Sequence, residues 1–352
     1  MSEFLHRLKI EHPIIQAPMA GVSTPAMAAA VANAGALGSL GVGAVNSLGA
    51  SDMITATRKL TTRSINVNVF CHRPARANPA VESAWLARLL IEFQRYAAEP
   101  PSTLHEIYTS FLADADMLDL LVKTKPTVVS FHFGLPPAPQ LDRLRAAGIV
   151  LIASATSLAE AQAIAAAELD AVIAQGYEAG GHRGMFDPSA TDDRLSTMAL
   201  TRVLVRALKI PVIAAGGIMD GAGIAAALQL GAVAAQLGTA FIDCPESLAD
   251  SGYRAALKSD AAHHTEMTAV ISGRPARCLG NRFTRWGRNV DTQDIPAYPI
   301  AYDAGKSLHA AAKAAAEFGY GAQWAGQGAP LARSLPAGDL VRGLVAELRA
   351  AL

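Results

Sequence analysis

The stretch Ala171-Val-Ile-Ala-Gln-Gly-Tyr-Glu-Ala-Gly-Gly-His-Arg-Gly184 gathers residue types that do chemistry. An apolar run ends at Gln175, and Gly176, Gly180, Gly181 and Gly184 then surround a single imidazole, His182. Glycines let a backbone approach a ligand closely and take up positive φ angles. An imidazole among them can act as a base or a hydrogen-bond partner near neutral pH.

Two further segments have the form of a phosphate cradle. Ala214-Ala-Gly-Gly-Ile218 follows an apolar run and leads towards a helix starting near Asp220, and Gln236-Leu-Gly-Thr239 follows the next run. Backbone N–H groups in such loops, with a helix N-terminus behind them, bind phosphate. Either segment alone reads equally as a tight turn.

Other candidates lie at the ends of apolar runs. Met19 falls in Gln16-Ala-Pro-Met-Ala-Gly21, and Asn68 ends Asn66-Val-Asn68. The Asn68 amide both donates and accepts, which suits the edge of a planar heterocycle as well as a strand-end turn. His132, in Ser130-Phe-His-Phe-Gly134, faces either a pocket or the core. Lys123 precedes a run and by itself reads as a surface lysine. Later in the chain come Tyr253, Tyr298, Tyr302, Lys306 and Trp324; on a helix over 302–311, Tyr302 and Lys306 would share a face. Ordinary packing is the competing reading for each of these. His263-His264 forms no metal pattern, and no metalloprotease, P-loop or G-x-S-x-G motif occurs.

Eight short runs must position these residues, beginning near Pro13, Ala36, Ile65, Thr127, Ile149, Asp170, Pro211 and Ala232. Each is followed by an alanine-rich helical segment, and several onsets are about 20 to 30 residues apart, one strand plus a crossover helix. That rhythm predicts an α/β fold, a TIM (β/α)8 barrel rather than an open sheet. The expected organisation is a barrel over 1–243 with an insertion at about 72–125 containing a helix from Val81 to Ala97. A smaller, mainly helical and loop-built cap over its C-terminal face follows at 244–325, and 326–352 contribute a helix returning to the barrel.

The 352 residues are 51% hydrophobic, with 30 basic and 30 acidic side chains and zero formal charge. That balance leaves no electrostatic footprint for nucleic acid or an anionic membrane. Cys71, Cys244 and Cys278 are an odd number and far apart, so they read as reduced thiols. The first nine residues lack the apolar stretch of a signal peptide, and the apolar runs are too broken to span a membrane. A soluble cytoplasmic enzyme is expected.

Taken in order, several segments resemble the nitronate monooxygenases (formerly 2-nitropropane dioxygenases), in particular their bacterial class I branch. These are Pro13-Ile-Ile-Gln-Ala-Pro-Met19, Asn66-Val-Asn-Val-Phe-Cys-His-Arg-Pro74, Ser130-Phe-His-Phe-Gly134 and the His182 segment. Ala214-Ala-Gly-Gly-Ile-Met-Asp-Gly221, Gln236-Leu-Gly-Thr-Ala-Phe241, Cys244-Pro-Glu-Ser247 and Ala322-Gln-Trp-Ala-Gly-Gln-Gly-Ala329 continue it. The resemblance covers nearly the whole chain.

It implies a capped TIM barrel holding one non-covalent FMN. Met19, Asn68, Lys123, Gln175, Gly180, Gly181, Gly217, Gln236, Leu237, Gly238 and Thr239 would contact the cofactor, with no metal. His182 would be the catalytic histidine; His132, Tyr108, Tyr253, Tyr298, Tyr302 and Lys306 would meet the substrate. Tyr177 stands where the family usually has an aliphatic residue and would narrow the loop. The implied reaction oxidises an alkyl nitronate, such as propionate 3-nitronate, with O2 to an aldehyde or ketone plus nitrite. It would run through one-electron flavin semiquinone chemistry. The low charge of the chain and its exposed-looking cap suit a monomer or a homodimer. The same scaffold also serves FMN-dependent NAD(P)H:quinone and enoyl-thioester reductases, and a flavin-free phosphate-binding barrel is the remaining alternative.

Overall fold

The computed structural model describes residues 3–352; Met1 and Ser2 of the N-terminal segment lie outside the described residues. All eight apolar runs are strands: β1 Ile14–Gln16, β2 Gly38–Gly41, β3 Ile65–Phe70, β4 Val128–His132, β5 Val150–Ala155, β6 Ala171–Gln175, β8 Val212–Ala215 and β9 Ala234–Leu237. A two-residue strand, β7 (Gly181–His182), comes between β6 and β8 in the chain.

The eight long strands pair in parallel in the order β1-β9-β8-β6-β5-β4-β3-β2. A parallel bridge between Ile15 and Leu37 joins the two ends of that sheet. Its hydrogen bonds run from Gln16 N to Leu37 O (2.9 Å) and from Leu37 N to Ile14 O (3.0 Å). The result is a closed TIM barrel, in which strands covered on both faces need to be apolar throughout.

The two ends of the barrel differ. At the N-terminal end, Phe4, Leu5, Leu8 and Ile10 pack against Ile15, Leu37, Ile152, Ile173 and Ile213. Each fully buried Leu or Ile in that plug contributes about 1.5–3 kcal/mol. The C-terminal end stays open for side chains and ligands. The closing helix Ala337–Ala351 buries Leu340, Val341, Leu344 and Leu348 against Met27, Val31 and Ile224 on the barrel's outside.

The insertion forms the helix Pro79–Gln94, capped by the Asn78 side chain on Val81 N. Its Trp85, Leu89 and Phe93 pack with Ile300, Ala304 and Leu308 of the helix Ile300–Ala314. A second sheet, not anticipated from the sequence, joins β10 (Thr265–Thr268) and β11 (Ala276–Leu279) to β7. There His182 pairs antiparallel with Ala276. The His182 segment is therefore a strand edge held by residues far along the chain, and not a free loop tip. No helix among the described residues is long and apolar enough to cross a membrane.

Candidate active site

A cavity of about 370 Å³ opens at the C-terminal ends of the barrel strands. Met19, Asn68, Tyr108, His132, Gln175, Gly180, Gly181, His182, Gly217, Gln236, Gly238, Thr239, Tyr253, Tyr298, Tyr302 and Lys306 all line it, as does Trp324. Strand ends supply most of the polar residues on one side, and the segment after β9 supplies Tyr253, Tyr298, Tyr302, Trp324 and Lys306 on the other, joined by Tyr108 from the insertion.

Two expected residues are elsewhere. Lys123 is exposed in the last turn of the helix Ala115–Thr124. A helix that precedes β4 ends at that strand's N-terminal rim, so Lys123 is on the opposite side of the barrel from the cavity. Leu237 alternates outward between Gln236 and Gly238 and packs with Ile14, Phe241 and Val341. Tyr177 is not part of the cavity wall: its ring lies under the guanidinium groups of Arg277 (4.8 Å), Arg183 (5.7 Å) and Arg194 (5.8 Å).

Hydrogen bonds hold the His182 strand rigidly. Gln175 Nε2 donates to His182 O at 3.0 Å, and Gln175 Oε1 accepts from Gly184 N at 2.7 Å. The buried Arg183 grips Asp192 through both Nε (2.8 Å) and Nη2 (2.9 Å), and its Nη1 donates to Gln175 O at 2.5 Å. His132 Nε2 lies 3.2 Å from His182 O, and its Nδ1 lies 3.1 Å from Ser154 Oγ. A carbonyl can only accept, so Nε2 carries the proton and Nδ1 takes the Ser154 hydroxyl. Both nitrogens of His132 are thus engaged by protein, and its ring meets the cavity through carbon.

His182 is packed among rings, with centroids 5.4 Å from Tyr298, 5.1 Å from Trp324 and 5.6 Å from Phe133. Its Nε2 is 2.9 Å from Ser272 Oγ. Burial pushes the His182 pKa down to about 3, with His132, Arg274 and His72 adding like-charge repulsion. His132 is lowered to about 4, again chiefly by burial. Both imidazoles are neutral at pH 7. Burial raises the Tyr108, Tyr253 and Tyr298 phenols and moves Tyr302 to about 12, so all four stay protonated.

Sequence reasoning missed three contributors: Ser154, Ser272 and Arg274. The Arg274 guanidinium carbon lies 4.2 Å above the Phe133 ring, and its Nη2 donates to Met185 O. Burial lowers its pKa to about 10, which leaves it a cation at pH 7. Phe133 itself sits at φ 73°, a left-handed conformation rare for a bulky residue. No local signal marks these residues, because their partners come from other elements.

A closed parallel barrel with a glycine-edged polar cavity at its C-terminal mouth defines a barrel enzyme. The sequence model of the nitronate monooxygenase family matches residues 2–347. A nitronate monooxygenase of Paraburkholderia phytofirmans is 62% identical over 97% of this chain and 93% of its own. One from Pseudomonas aeruginosa is 51% identical over 98% and 99%. The structure of a nitroalkane oxidase from Streptomyces ansochromogenes superposes with a TM-score of 0.89 at 41% identity, covering 99% of both chains. FabK from Thermotoga maritima superposes with a TM-score of 0.75 at 28% identity, covering 99% of this chain and 96% of its own. The chain belongs to the nitronate monooxygenase family, a family of oxidoreductases.

Proposed function

We propose that the chain oxidises small alkyl nitronates with O2, using FMN, and releases an aldehyde or ketone plus nitrite. The observation that carries this reading is the Lys306 ammonium. It lies 4.8 Å from the Tyr108 ring and 5.5 Å from the Tyr302 ring, on the cavity wall, with no carboxylate in ion-pair distance among the described residues. An exposed cation on the cavity wall without an ion-pair partner suits an anionic ligand, and propionate 3-nitronate carries two negative groups.

The opposite side fits a flavin. Gln236 Oε1 is buried and has no donor, which suits an N–H on the edge of a flavin ring. The backbone N–H groups of Gly217, Gly238 and Thr239 meet no protein acceptor among the described residues. Thr239 Oγ1 accepts from Gly326 N at 3.0 Å, so its hydroxyl proton remains free for a phosphate oxygen. Gly217, at φ 70°, allows the turn that faces these donors inwards. Asn68 Nδ2 donates to Ser130 O and Oγ, which aims its carbonyl oxygen elsewhere.

Bound there, FMN supplies one-electron redox chemistry and reactivity towards O2. The protein's own part is binding, orientation and exclusion of water. Lys306 holds the anion, and the protonated tyrosines and Trp324 form a wall that keeps water from the reacting atoms. In this reading residues 1–243 carry the flavin, 244–325 act as the cap, and the protein works in the cytoplasm as a monomer or homodimer.

Aerobic turnover of the FMN-loaded protein with propionate 3-nitronate, followed as oxygen uptake and nitrite without NADH, tests the proposal. Oxygen consumption with matching nitrite supports it. A yellow protein that is inert towards nitronates but bleached anaerobically by NADH would instead be a reductase on the same scaffold.

A further inference from the structure

The contacts around His182 go further than its identity as the active-site histidine. Its Nε2 lies 2.9 Å from Ser272 Oγ, and the same Oγ lies 3.2 Å from the carbonyl oxygen of Arg274. A serine hydroxyl has one proton, while a carbonyl can only accept. Ser272 is fully buried, Arg274 is nearly so, and no other group donates to the Arg274 carbonyl among the described residues. A buried carbonyl left without a donor is disfavoured. The Ser272 proton therefore goes to Arg274 O, and the Ser272 oxygen must accept from His182 Nε2–H.

The opposite ring atom follows from this. The ring is neutral, so with Nε2 protonated Nδ1 carries a lone pair. His182 Nδ1 has no protein partner among the described residues and is not occluded, so it opens into the cavity that the ring lines. The groups facing the ring are the side chains of His132, Phe133, Tyr298, Tyr302 and Trp324, with Arg274 and His72 behind them. None of them is a carboxylate that would draw a proton to Nδ1.

We propose that Ser272 is a positioning residue that locks His182 as its Nε2–H tautomer, so that Nδ1 is the acceptor and base presented to the ligand. Its value for catalysis rests on the nitronate reading above; the tautomer itself does not. Any proton taken from a ligand O–H or C–H arrives at Nδ1 with the bonding pair left on the ligand. The imidazolium so formed keeps its Nε2–H on Ser272. A nitronate oxygen cannot accept from Nδ1 until that proton has arrived, which makes Lys306 the standing contact for the anion.

Nitrogen NMR on the FMN-loaded protein labelled with [15N]histidine tests this. The His182 signals are identified by their loss in His182→Asn. The expected spectrum has Nε2 in the protonated, pyrrole-like range and Nδ1 in the pyridine-like range. A protonated Nδ1 overturns the proposal whether or not the enzyme turns over nitronates, so the two readings fail separately. In Ser272→Ala, the ring should become a mixture of tautomers, and kcat should fall roughly tenfold with KM little changed. Ser272→Cys, which restores a weak acceptor, should recover part of both. A Ser272→Ala protein with the wild-type spectrum and kcat would also refute it. Should Ser272→Ala not fold, the wild-type spectrum and Ser272→Cys decide.

Discussion

His132 donates its Nε2–H to the carbonyl oxygen of His182 across 3.2 Å, joining the end of β4 to β7. Gln175 Nε2 reaches the same oxygen at 3.0 Å. The first histidine thus holds the backbone of the second, while its own ring nitrogens are closed to the ligand. Replacing His132 by Ala removes one of two donors from a buried carbonyl, a loss of about 1 kcal/mol. Turnover should fall up to about tenfold, with the substrate KM changing less. Steady-state kinetics on FMN-saturated His132→Ala checks this; a selective rise in KM would make His132 a direct ligand contact instead.

Lys306 has no ion-pair partner among the described residues, and partial desolvation lowers its pKa against the opposing pull of the Asp303 carboxylate. In Lys306→Met, KM for propionate 3-nitronate should rise about 10- to 100-fold, the range expected from losing a charge-assisted contact of about 1.5–3 kcal/mol. Ethyl nitronate, without the carboxylate, should lose less. Equal losses for both substrates would assign Lys306 to the nitronate group alone.

One buried histidine, His72, and two half-buried ones, His132 and His182, make the fold sensitive to acid. Folded His72 and His132 titrate at about 4 and His182 at about 3, whereas an unfolded histidine titrates near about 6.5. Between those values the unfolded chain binds protons that the folded chain does not, so stability falls as pH falls. The slope is roughly 1.4 kcal/mol per pH unit for each histidine. Urea midpoints at about pH 7 and about pH 5 measure it, and His182→Asn should lower the slope by one proton. No change in midpoint over that range would mean that these rings are solvated.

Two glycines should respond oppositely to alanine. A Cβ at Gly180 would fall 2.4 Å from Gly326 N and 2.6 Å from Ala325 C, a clash with backbone that cannot move aside. Gly180→Ala should therefore push the His182 strand off the 325–326 segment and weaken FMN retention, read by flavin fluorescence on dilution. Gly343 lies in the helix Ala337–Ala351 with nothing within 4 Å of an added Cβ. Gly343→Ala should stabilise the fold by about 0.5–1 kcal/mol, seen as a higher denaturation midpoint with activity unchanged.

Much of this molecule was legible in the chain because it follows from local pattern. Apolar runs spaced by one crossover helix can bury both faces only in a parallel sheet, and all eight runs became barrel strands. Glycines and amides at their C-terminal ends then fall at one rim whatever the rest of the chain does, which is why Gly180, Gly217 and Gln236 share one cavity. Lys123 was misplaced for a related reason: sequence proximity to β4 says nothing about which rim a residue reaches, and a helix before a strand ends at the far one.

The barrel, its open end and the residue types around the mouth follow from the order of residues alone, since periodicity and backbone freedom are local properties. What each polar atom does is set by three-dimensional packing. Ser272, Arg274 and the β7–β11 pairing come from a segment far from His182 in the chain. Hydrogen bonding depends on a few tenths of an ångström and on which neighbour already holds the proton, and such arrangements exist only once distant segments have packed.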